Sequence, residues 1–341
     1  MKRKVLITGV AGFIGSRLAE KLNDSGYDVE GCDIYNFRNQ FFDVGDAGHL
    51  SLQRIRNDRL VRFIKKNQIP YHLIDLSDFD AVMQMFKTVK PEIVIHLAAQ
   101  AGVRHSVRAP IDFVRSNLTG FANVLEASRQ NGISEFLYAS SSSVYGARND
   151  APFLESDRCD TPESFYAATK MANEAMAKAY FAQYKMPSIG LRFFTVYGPW
   201  GRLDMAPIMF AQKMRNQQTI QLFGHGLLRR DFTFIEDTVF VIEKLIRQQP
   251  CKGRAEVLNV GHSQPVQLTE FVQTLAACLN VKPNIDLVGM QVSDVPLTCA
   301  SNEKLIEYIG EWPRTSLQNG LAQLSDWLME WSPLFPTHRS H

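Results

Sequence analysis

The stretch "LITGVAGFIGS" constrains the fold of this chain more than any other feature. It continues the apolar run "KVLIT" at residues 4–8, and its glycines are Gly9, Gly12 and Gly15. Glycine permits a tight turn between a strand and a helix. The free N–H groups and partial positive charge at the start of a helix bind anions such as a pyrophosphate. The stretch therefore predicts a strand, a phosphate-binding turn and a helix, in that order.

Strand-like and amphipathic segments alternate along the first half of the chain. The predicted strands are 4–8, 28–33, 70–75, 92–98 and 135–140, and the predicted helices lie near 13–25, 50–67, 78–88 and 115–130. This alternation is typical of a doubly wound, Rossmann-type α/β fold with a mostly parallel sheet. The rhythm is less regular after about residue 195, where helices are expected near 206–217, 236–248 and 268–280.

Composition narrows the class of protein. The chain has 341 residues, a formal net charge of +2 and 45% hydrophobic residues, enough for one large unit or two closely packed lobes. The near-neutral charge gives no indication of nucleic-acid or membrane-surface binding. Five scattered cysteines without metal-site spacing predict reduced thiols and no metal. There is no apolar run of ~20 residues and no signal-peptide pattern, so we expect a cytoplasmic protein.

Asp33 ends the second predicted strand, 24 residues after Gly9. A carboxylate at this point can accept hydrogen bonds from both adenosine ribose hydroxyls and would repel a 2′-phosphate, which favours NAD over NADP. Asp75 and Leu76 end the third strand and could border the adenine, although an ordinary strand-end Asp is the alternative. We predict an NAD-binding domain over 1–195. A smaller α/β substrate lobe is predicted over 196–341, with some of its segments returning to the first domain.

The stretch "SFYAATK" places Tyr166 and Lys170 four residues apart, hence on one face of a predicted helix. A nearby cation stabilises a phenolate and lowers its pKa from ~10 towards neutrality. Such a tyrosine can act as a general base towards a secondary hydroxyl. Just upstream, "SSSSVYG" at 140–146 offers hydroxyls at the end of the fifth strand, where a turn that caps its own backbone is the alternative.

Taken together, these motifs identify a resemblance. The GxxGxxG spacing resembles that of the extended short-chain dehydrogenase/reductases, and the chain looks like a nucleotide-sugar epimerase of that family, most similar to UDP-glucuronate 4-epimerases. The stretches that carry the resemblance are "HLAAQAGVRHS" (96–106), "SNLTGFANVLEASR" (116–129), "SSSSVYG", "FYAATKMANEAMA" (165–177), "LRFFTVYGPWGRLDMA" (191–206) and "RRDFTFIEDT" (229–238).

The resemblance implies roles for individual residues. Ser141 supplies the catalytic hydroxyl, Tyr166 the base, and Lys170 holds the nicotinamide ribose and tunes Tyr166. Arg230 clamps the UDP diphosphate, and Asp294 lies near the uridine ribose, although "GMQVSDVP" departs from the usual form of that segment. The implied NAD-binding positions are Gly9, Gly12, Phe13, Ile14, Gly15, Asp33, Asp75, Leu76, Ala98, Ala99, Gln100, Asn117, Tyr166 and Lys170.

A uronic acid substrate adds a chemical requirement. Its 4-keto form is a β-keto acid, which loses CO₂ when the C5–C6 bond aligns with the carbonyl π system. A hydroxyl and an arginine fork could hold the carboxylate away from that alignment. Thr195 and Arg202 are the first candidates. Further candidates are Ser142, Ser143 and Arg104, and a surface position is the alternative for each arginine.

The segment 34–62 is longer than a usual connection between a strand and a helix. It carries five arginines: Arg38, Arg54, Arg56, Arg59 and Arg62. We interpret them as a solvated helix face, with phosphate contact as the alternative.

Three other functions remain open at this stage. They are 4-epimerisation of another UDP-sugar (glucose or N-acetylhexosamine type), UDP-glucuronate decarboxylation, and a non-catalytic NAD-binding scaffold. The resemblance also implies a homodimer through helices at about 115–130 and 165–185. Phe121, Leu125, Met176 and Tyr180 fit either that interface or the protein's own core.

Overall fold

A computed structural model describes residues 2–34, 54–148, 150–248, 251, 253–290 and 295–331. Within these ranges, a seven-stranded parallel sheet has the order β11-β6-β5-β4-β1-β2-β3. Its strands are β1 (Lys4–Thr8), β2 (Asp28–Asp33), β3 (Tyr71–Leu73), β4 (Ile93–His96), β5 (Glu135–Ser141), β6 (Ser188–Phe193) and β11 (Ala255–Val260). The predicted strands of the first half and the Rossmann-type fold are confirmed.

Helices cover both faces of the sheet. Val5 and Ile7 of β1 pack into one apolar cluster, whereas Leu6 between them packs into a second. Because successive side chains of a strand point to opposite faces, a strand buried on both sides reads as a continuous apolar run. β4 and β6 are buried at every position for the same reason.

The α-helices of the described chain are α1 (Phe13–Asp24), α2 (Phe79–Val89), α3 (Val103–Arg108), α4 (Pro110–Phe113), α5 (Phe121–Gln130), α6 (Phe165–Tyr184), α7 (Ala206–Arg215), α8 (Ile235–Gln248), α9 (Leu268–Leu279), α10 (Glu303–Ile309) and α11 (Leu317–Glu330). Residues 54–65 form a further helical segment, with π-helical geometry over Leu60–Lys65. A second π-helical turn, Val114–Gly120, leads directly into α5. None of the helices in these ranges is long and apolar enough to cross a bilayer.

The chain after β6 builds three two-stranded sheets: β7 (Thr195–Tyr197) with β10 (Phe232–Phe234), β8 (Ile220–Leu222) with β13 (Ile285–Leu287), and β9 (Arg229–Arg230) with β12 (Val266–Gln267). Between β10 and β12 the chain returns to the large sheet, because β11 pairs in parallel with β6 from Ala255↔Ser188 to Val260↔Phe193. One edge strand of the seven-stranded sheet therefore comes from the second half of the sequence.

Candidate active site

The glycine loop forms the predicted turn between β1 and α1. Gly9 has a φ of +75°, in the left-handed region that favours glycine. A Cβ at Gly9 would lie 2.7 Å from the backbone nitrogen of Ala98, and one at Gly15 would lie 2.2 Å from the Gly9 oxygen. Gly9 thus lets the loop approach the end of β4, and Gly15 lets α1 pack closely beneath the loop.

Asp33 lies beside this loop, at the carboxyl end of β2. One carboxylate oxygen accepts a hydrogen bond from the Ala11 backbone N–H at 2.9 Å, and the other accepts one from Ile34 at 2.8 Å. The second oxygen also pairs with the Arg56 guanidinium. The strand-end carboxylate is therefore held in place, with a cation next to it that the sequence analysis did not assign to this position.

A cavity of about 250 Å³ opens between the glycine loop and the ends of the neighbouring strands. Its lining includes the following predicted cofactor residues: Gly9, Gly12, Phe13, Asp33, Asp75, Leu76, Ala98, Ala99 and Gln100. The close approach at Gly9 leaves backbone N–H groups at the start of α1 available to a diphosphate, and Asp33 suits an adenosine ribose. The residues present therefore fit NAD.

Other predicted cofactor residues act from behind the cavity wall. Asn117 is 1% exposed, and its side-chain amide exchanges two hydrogen bonds with the Gln100 backbone, at 2.8 and 2.9 Å. It therefore positions Gln100.

Ile14 packs against the main apolar core. Asp75 accepts hydrogen bonds from Ser77 at the cavity wall, and the Arg115 guanidinium pairs with its other oxygen.

The arginines of segment 34–62 do not form one solvated face. Arg54 and Arg62 are exposed, as that interpretation requires, and Arg38 lies outside the described residues. Arg56 and Arg59 line the cavity, and Arg59 is only 4% exposed. The interpretation as a solvated face is therefore wrong for Arg59. Its side chain is buried between the glycine loop and the turn that contains Trp200 and Gly201.

Tyr166 and Lys170 occupy the first turns of α6, which Ser164 caps by accepting a hydrogen bond from the Ala167 N–H at 3.1 Å. The Ser141 hydroxyl and the Arg202 guanidinium both lie close enough to the Tyr166 phenol to lower its pKa. The Ser141 hydroxyl also bonds that of Ser143, at 3.1 Å. The structure therefore brings together the three predicted catalytic residues around the end of β5.

The pKa of Tyr166 differs from the sequence-based prediction. Burial raises the pKa of the phenol above 10, while the Ser141 hydrogen bond and the Arg202 charge act in the opposite direction. The Lys170 ammonium instead donates a 2.7 Å hydrogen bond to the Ala139 carbonyl, and burial lowers its pKa to about 8. The predicted fall in the Tyr166 pKa is wrong for this arrangement, because burial penalises the phenolate.

A buried ion pair lies one helical turn beyond Lys170 and was not predicted. Glu174 accepts two hydrogen bonds from Arg192 of β6, at 2.9 and 2.8 Å, and a third from Ser140 at 2.6 Å. Its carboxylate opposes the effect of burial on the pKa of Lys170. This pair fixes α6 against the two strands whose ends carry the candidate catalytic groups.

A second cavity, also of about 250 Å³, lies beside the serine turn Ser142–Tyr145. Its lining includes five predicted substrate residues: Arg104, Ser142, Ser143, Thr195 and Arg230. Glu163 also lines this cavity. Glu163 was not predicted as a site residue from the sequence, although it lies three residues before Tyr166.

Thr195 and Arg202 line different cavities. Thr195 lines the second cavity, whereas Arg202 lines the first and donates hydrogen bonds to the Ala101 carbonyl at 2.9 Å and to Asp204 at 3.0 Å. Arg202 still acts electrostatically on Tyr166. Asp204 engages the guanidinium through two nitrogens, so the fork already has the geometry that binds a carboxylate.

Arg230 lies in β9, and its guanidinium donates a 3.0 Å hydrogen bond to the Arg229 carbonyl. Asp231 is fully buried and accepts hydrogen bonds from the backbone N–H groups of His262, Ser263 and Ala300, at 2.7, 3.0 and 2.9 Å. Its carbonyl accepts a bond from the Thr195 N–H. Asp231 therefore joins the wall of the second cavity to two loops, one with His262 and Ser263 and the other with Ala300, a role signalled only by a lone acid in the strand-like "RRDFTF". Asp294 lies outside the described residues.

Comparison with known proteins agrees with this site. Protein CapI of Staphylococcus aureus is 40% identical, covering 96% of this chain and 99% of its own length. A probable UDP-glucuronate 4-epimerase of Rhizobium meliloti is 37% identical, covering 95% and 96%. The structure of a Bacillus cereus UDP-glucuronic acid 4-epimerase with UDP-glucuronic acid and NAD matches with a TM-score of 0.83 at 26% identity, covering 96% and 99%.

The sequence profile of a known family spans most of the sheet, the first cavity and most of the second cavity. It matches residues 5–261, from β1 to the residue after β11. That range contains the glycine loop, Asp33, Ser141, Tyr166, Lys170 and Arg230. The chain belongs to the NAD dependent epimerase/dehydratase family.

Proposed function

We propose that this protein is a UDP-sugar 4-epimerase that reversibly interconverts UDP-glucuronate and UDP-galacturonate. One observation carries the proposal: the Tyr166 hydroxyl contacts Ser141, beside the serines of the second cavity, and feels Arg202 of the NAD cavity. A base in that position serves a sugar hydroxyl on one side and a hydride acceptor on the other. The relatives named above as UDP-glucuronate epimerases support this choice of substrate.

In the proposed reaction, Tyr166 takes the proton of the sugar 4-hydroxyl while Ser141 hydrogen-bonds the same oxygen. NAD bound in the first cavity would supply the acceptor, and later the donor, of the C4 hydride. Lys170 holds the nicotinamide ribose, and the positive charge of Arg202 stabilises the phenolate. Between the two transfers, the 4-keto sugar turns over, so that its opposite face meets the cofactor. Arg230 anchors the diphosphate during this rotation, because a planar guanidinium binds phosphate oxygens through two parallel hydrogen bonds.

We further propose that Arg202 binds the sugar C6 carboxylate, sharing or replacing Asp204 as its partner. Its fork is already arranged around one carboxylate, and its charge acts at the Tyr166 hydroxyl, where the sugar C4 would lie. Thr195, Arg104, Ser142 and Ser143 complete the sugar side. When the carboxylate is fixed in this way, the C5–C6 bond does not align with the π system of the C4 carbonyl. The β-keto acid is therefore not decarboxylated.

Substrate preference tests the function. We expect kcat/KM for UDP-glucuronate to exceed that for UDP-glucose and UDP-N-acetylglucosamine by about 10- to 150-fold, because a charge-assisted hydrogen bond contributes about 1.5–3 kcal/mol. Initial rates with each UDP-sugar measure the ratio. A higher kcat/KM for UDP-glucose would replace the proposal with a neutral-sugar epimerase, and no turnover of any UDP-sugar despite bound NAD would favour the non-catalytic scaffold.

Proposals about organisation go with this function. We propose that residues 1–195 form the NAD-binding domain and 196–341 the UDP-sugar lobe, with some segments such as β11 returning to the first domain. We propose a cytoplasmic homodimer formed through helices of the 115–130 and 165–185 regions. Phe121 and Leu125 are each 1% exposed and belong to the protein's own core, which leaves the partly exposed Met176 and Tyr180 for the interface. All five cysteines are free thiols, as suits a reducing compartment.

A further inference from the structure

Residues 198–204, here called the strap, run along the NAD cavity. Arg202, Leu203 and Asp204 of the strap line the cavity. On the β4 side, Arg202 donates a 2.9 Å hydrogen bond to the carbonyl of Ala101, which also lines the cavity. The strap is therefore hydrogen-bonded, through Arg202, to the opposite wall of the NAD cavity at Ala101.

Arg59 joins the strap to the glycine loop. Its guanidinium donates hydrogen bonds to the carbonyls of Trp200 at 2.9 Å and Gly201 at 2.8 Å, both in the strap. A further donor reaches the carbonyl of Ala11, in the glycine loop, at 3.5 Å. In the described chain all hydrogen bonds of Arg59 go to backbone carbonyls. This buried cation therefore bridges two loops, because the several donors of a planar guanidinium can bond more than one carbonyl at the same time.

Trp200 holds its carbonyl towards Arg59. Its φ of +64° is unusual for a residue other than glycine, and such a conformation persists only where the surroundings enforce it. The indole is 4% exposed and packs against Phe63, Trp327 and Trp331, with ring centroids 5.6, 5.5 and 4.4 Å away. The strap is thus fixed by an aromatic cluster on one side and by Arg59 on the other.

We infer that Arg59 is a positioning residue that holds the strap across the NAD cavity and thereby slows escape of the dinucleotide. Retention matters because the reaction restores the hydrogen that it removes, so a dinucleotide lost between the two transfers would strand an oxidised sugar. The inference rests on NAD binding and holds whichever UDP-sugar is the substrate.

The release rate of NAD⁺ tests this inference. Wild-type protein and three variants, Arg59→Met, Arg59→Lys and Arg54→Met, are loaded with NAD⁺ and freed of excess. Each is then diluted into alcohol dehydrogenase and ethanol, which convert only released NAD⁺ to NADH. We expect Arg59→Met to release NAD⁺ at least tenfold faster than wild type. Arg59→Lys should lie between the two, because one ammonium cannot reach all three carbonyls.

Arg54→Met is the matched control, since Arg54 is exposed on the same helical segment. It should release NAD⁺ at the wild-type rate, and fast release from this variant would contradict the inference. UDP affinity should stay unchanged in every variant, because UDP binds on the other side of the site. If Arg59→Met does not fold, Arg59→Lys decides. A folded Arg59 variant with wild-type release overturns the inference, as does a wild-type protein that retains no NAD⁺.

Release is measured without any UDP-sugar, so failure here is distinguishable from failure of the proposed function. A protein that retains NAD⁺ through Arg59 but turns over no UDP-glucuronate would sink the substrate proposal alone. Normal epimerisation together with wild-type NAD⁺ release from Arg59→Met would contradict the proposed role of Arg59 and leave the proposed function intact.

Discussion

Replacing Tyr166 with phenylalanine is expected to lower kcat by roughly 10²- to 10⁴-fold, the usual contribution of a positioned acid–base group. The variant should still hold NAD, because the glycine loop, Asp33 and the strand ends that line the cofactor cavity are unchanged. Initial rates with UDP-glucuronate, together with the cofactor content of the purified protein, measure both effects.

Tyr145→Phe is the control for this substitution. Tyr145 is a buried tyrosine at the end of the serine turn, and its hydroxyl donates a 2.7 Å hydrogen bond to Asn259. Its loss should reduce stability by about 1–3 kcal/mol, because the buried Asn259 Oδ1 loses its hydrogen-bond donor, with turnover retained. A Tyr166→Phe variant that keeps a near-normal rate would remove Tyr166 from the mechanism.

Replacing Arg202 with alanine is expected to weaken binding of UDP-glucuronate by about 10- to 150-fold, the factor that corresponds to about 1.5–3 kcal/mol for a charge-assisted hydrogen bond. Affinity for UDP should change far less, because UDP has no C6 carboxylate. The variant should also release CO₂ during turnover, since the carboxylate of the keto intermediate is no longer held. Calorimetry with each ligand and detection of UDP-pentose measure the two effects.

Asp204→Asn distinguishes two roles of Arg202: binding of the substrate carboxylate, and stabilisation of the strap through its ion pair with Asp204. It weakens the same ion pair but keeps the guanidinium, so it should preserve the preference for UDP-glucuronate over UDP and release no CO₂. Equal losses of UDP and UDP-glucuronate affinity in Arg202→Ala would show that Arg202 does not bind the carboxylate.

The parts of the site that the sequence predicted are encoded by short-range patterns. The glycine loop and its helix follow from the spacing of three glycines, and the position of Tyr166 relative to Lys170 follows from the period of one helix. Asp33 could be predicted because a strand-end acid at this distance from the loop is itself a local signal. In each case the residues that decide the geometry lie within one supersecondary unit.

What the sequence did not predict depends on contacts between distant segments. Arg59 becomes a buried bridge because carbonyls 141 and 142 positions away meet its guanidinium. Glu174 has its role only because α6 packs against β5 and β6. The pKa of Tyr166 depends on burial, which no local pattern reports.

The relation between Thr195 and Arg202 also depended on a turn that the sequence does not specify. They are seven residues apart, but Gly198 has a φ of +143° and Trp200 a φ of +64°, which redirect the chain towards the other cavity. A clamp made of both residues therefore has to act from two sides of the sugar.

In the proposed reaction, C4 of UDP-glucuronate is inverted by removal and return of its own hydrogen. Proton NMR of UDP-glucuronate incubated with the protein in D₂O distinguishes this route from the others. We expect UDP-galacturonate with protium retained at C4 and no CO₂, since the hydrogen returns without exchange with solvent. Deuterium at C4, or a UDP-pentose product, would contradict it.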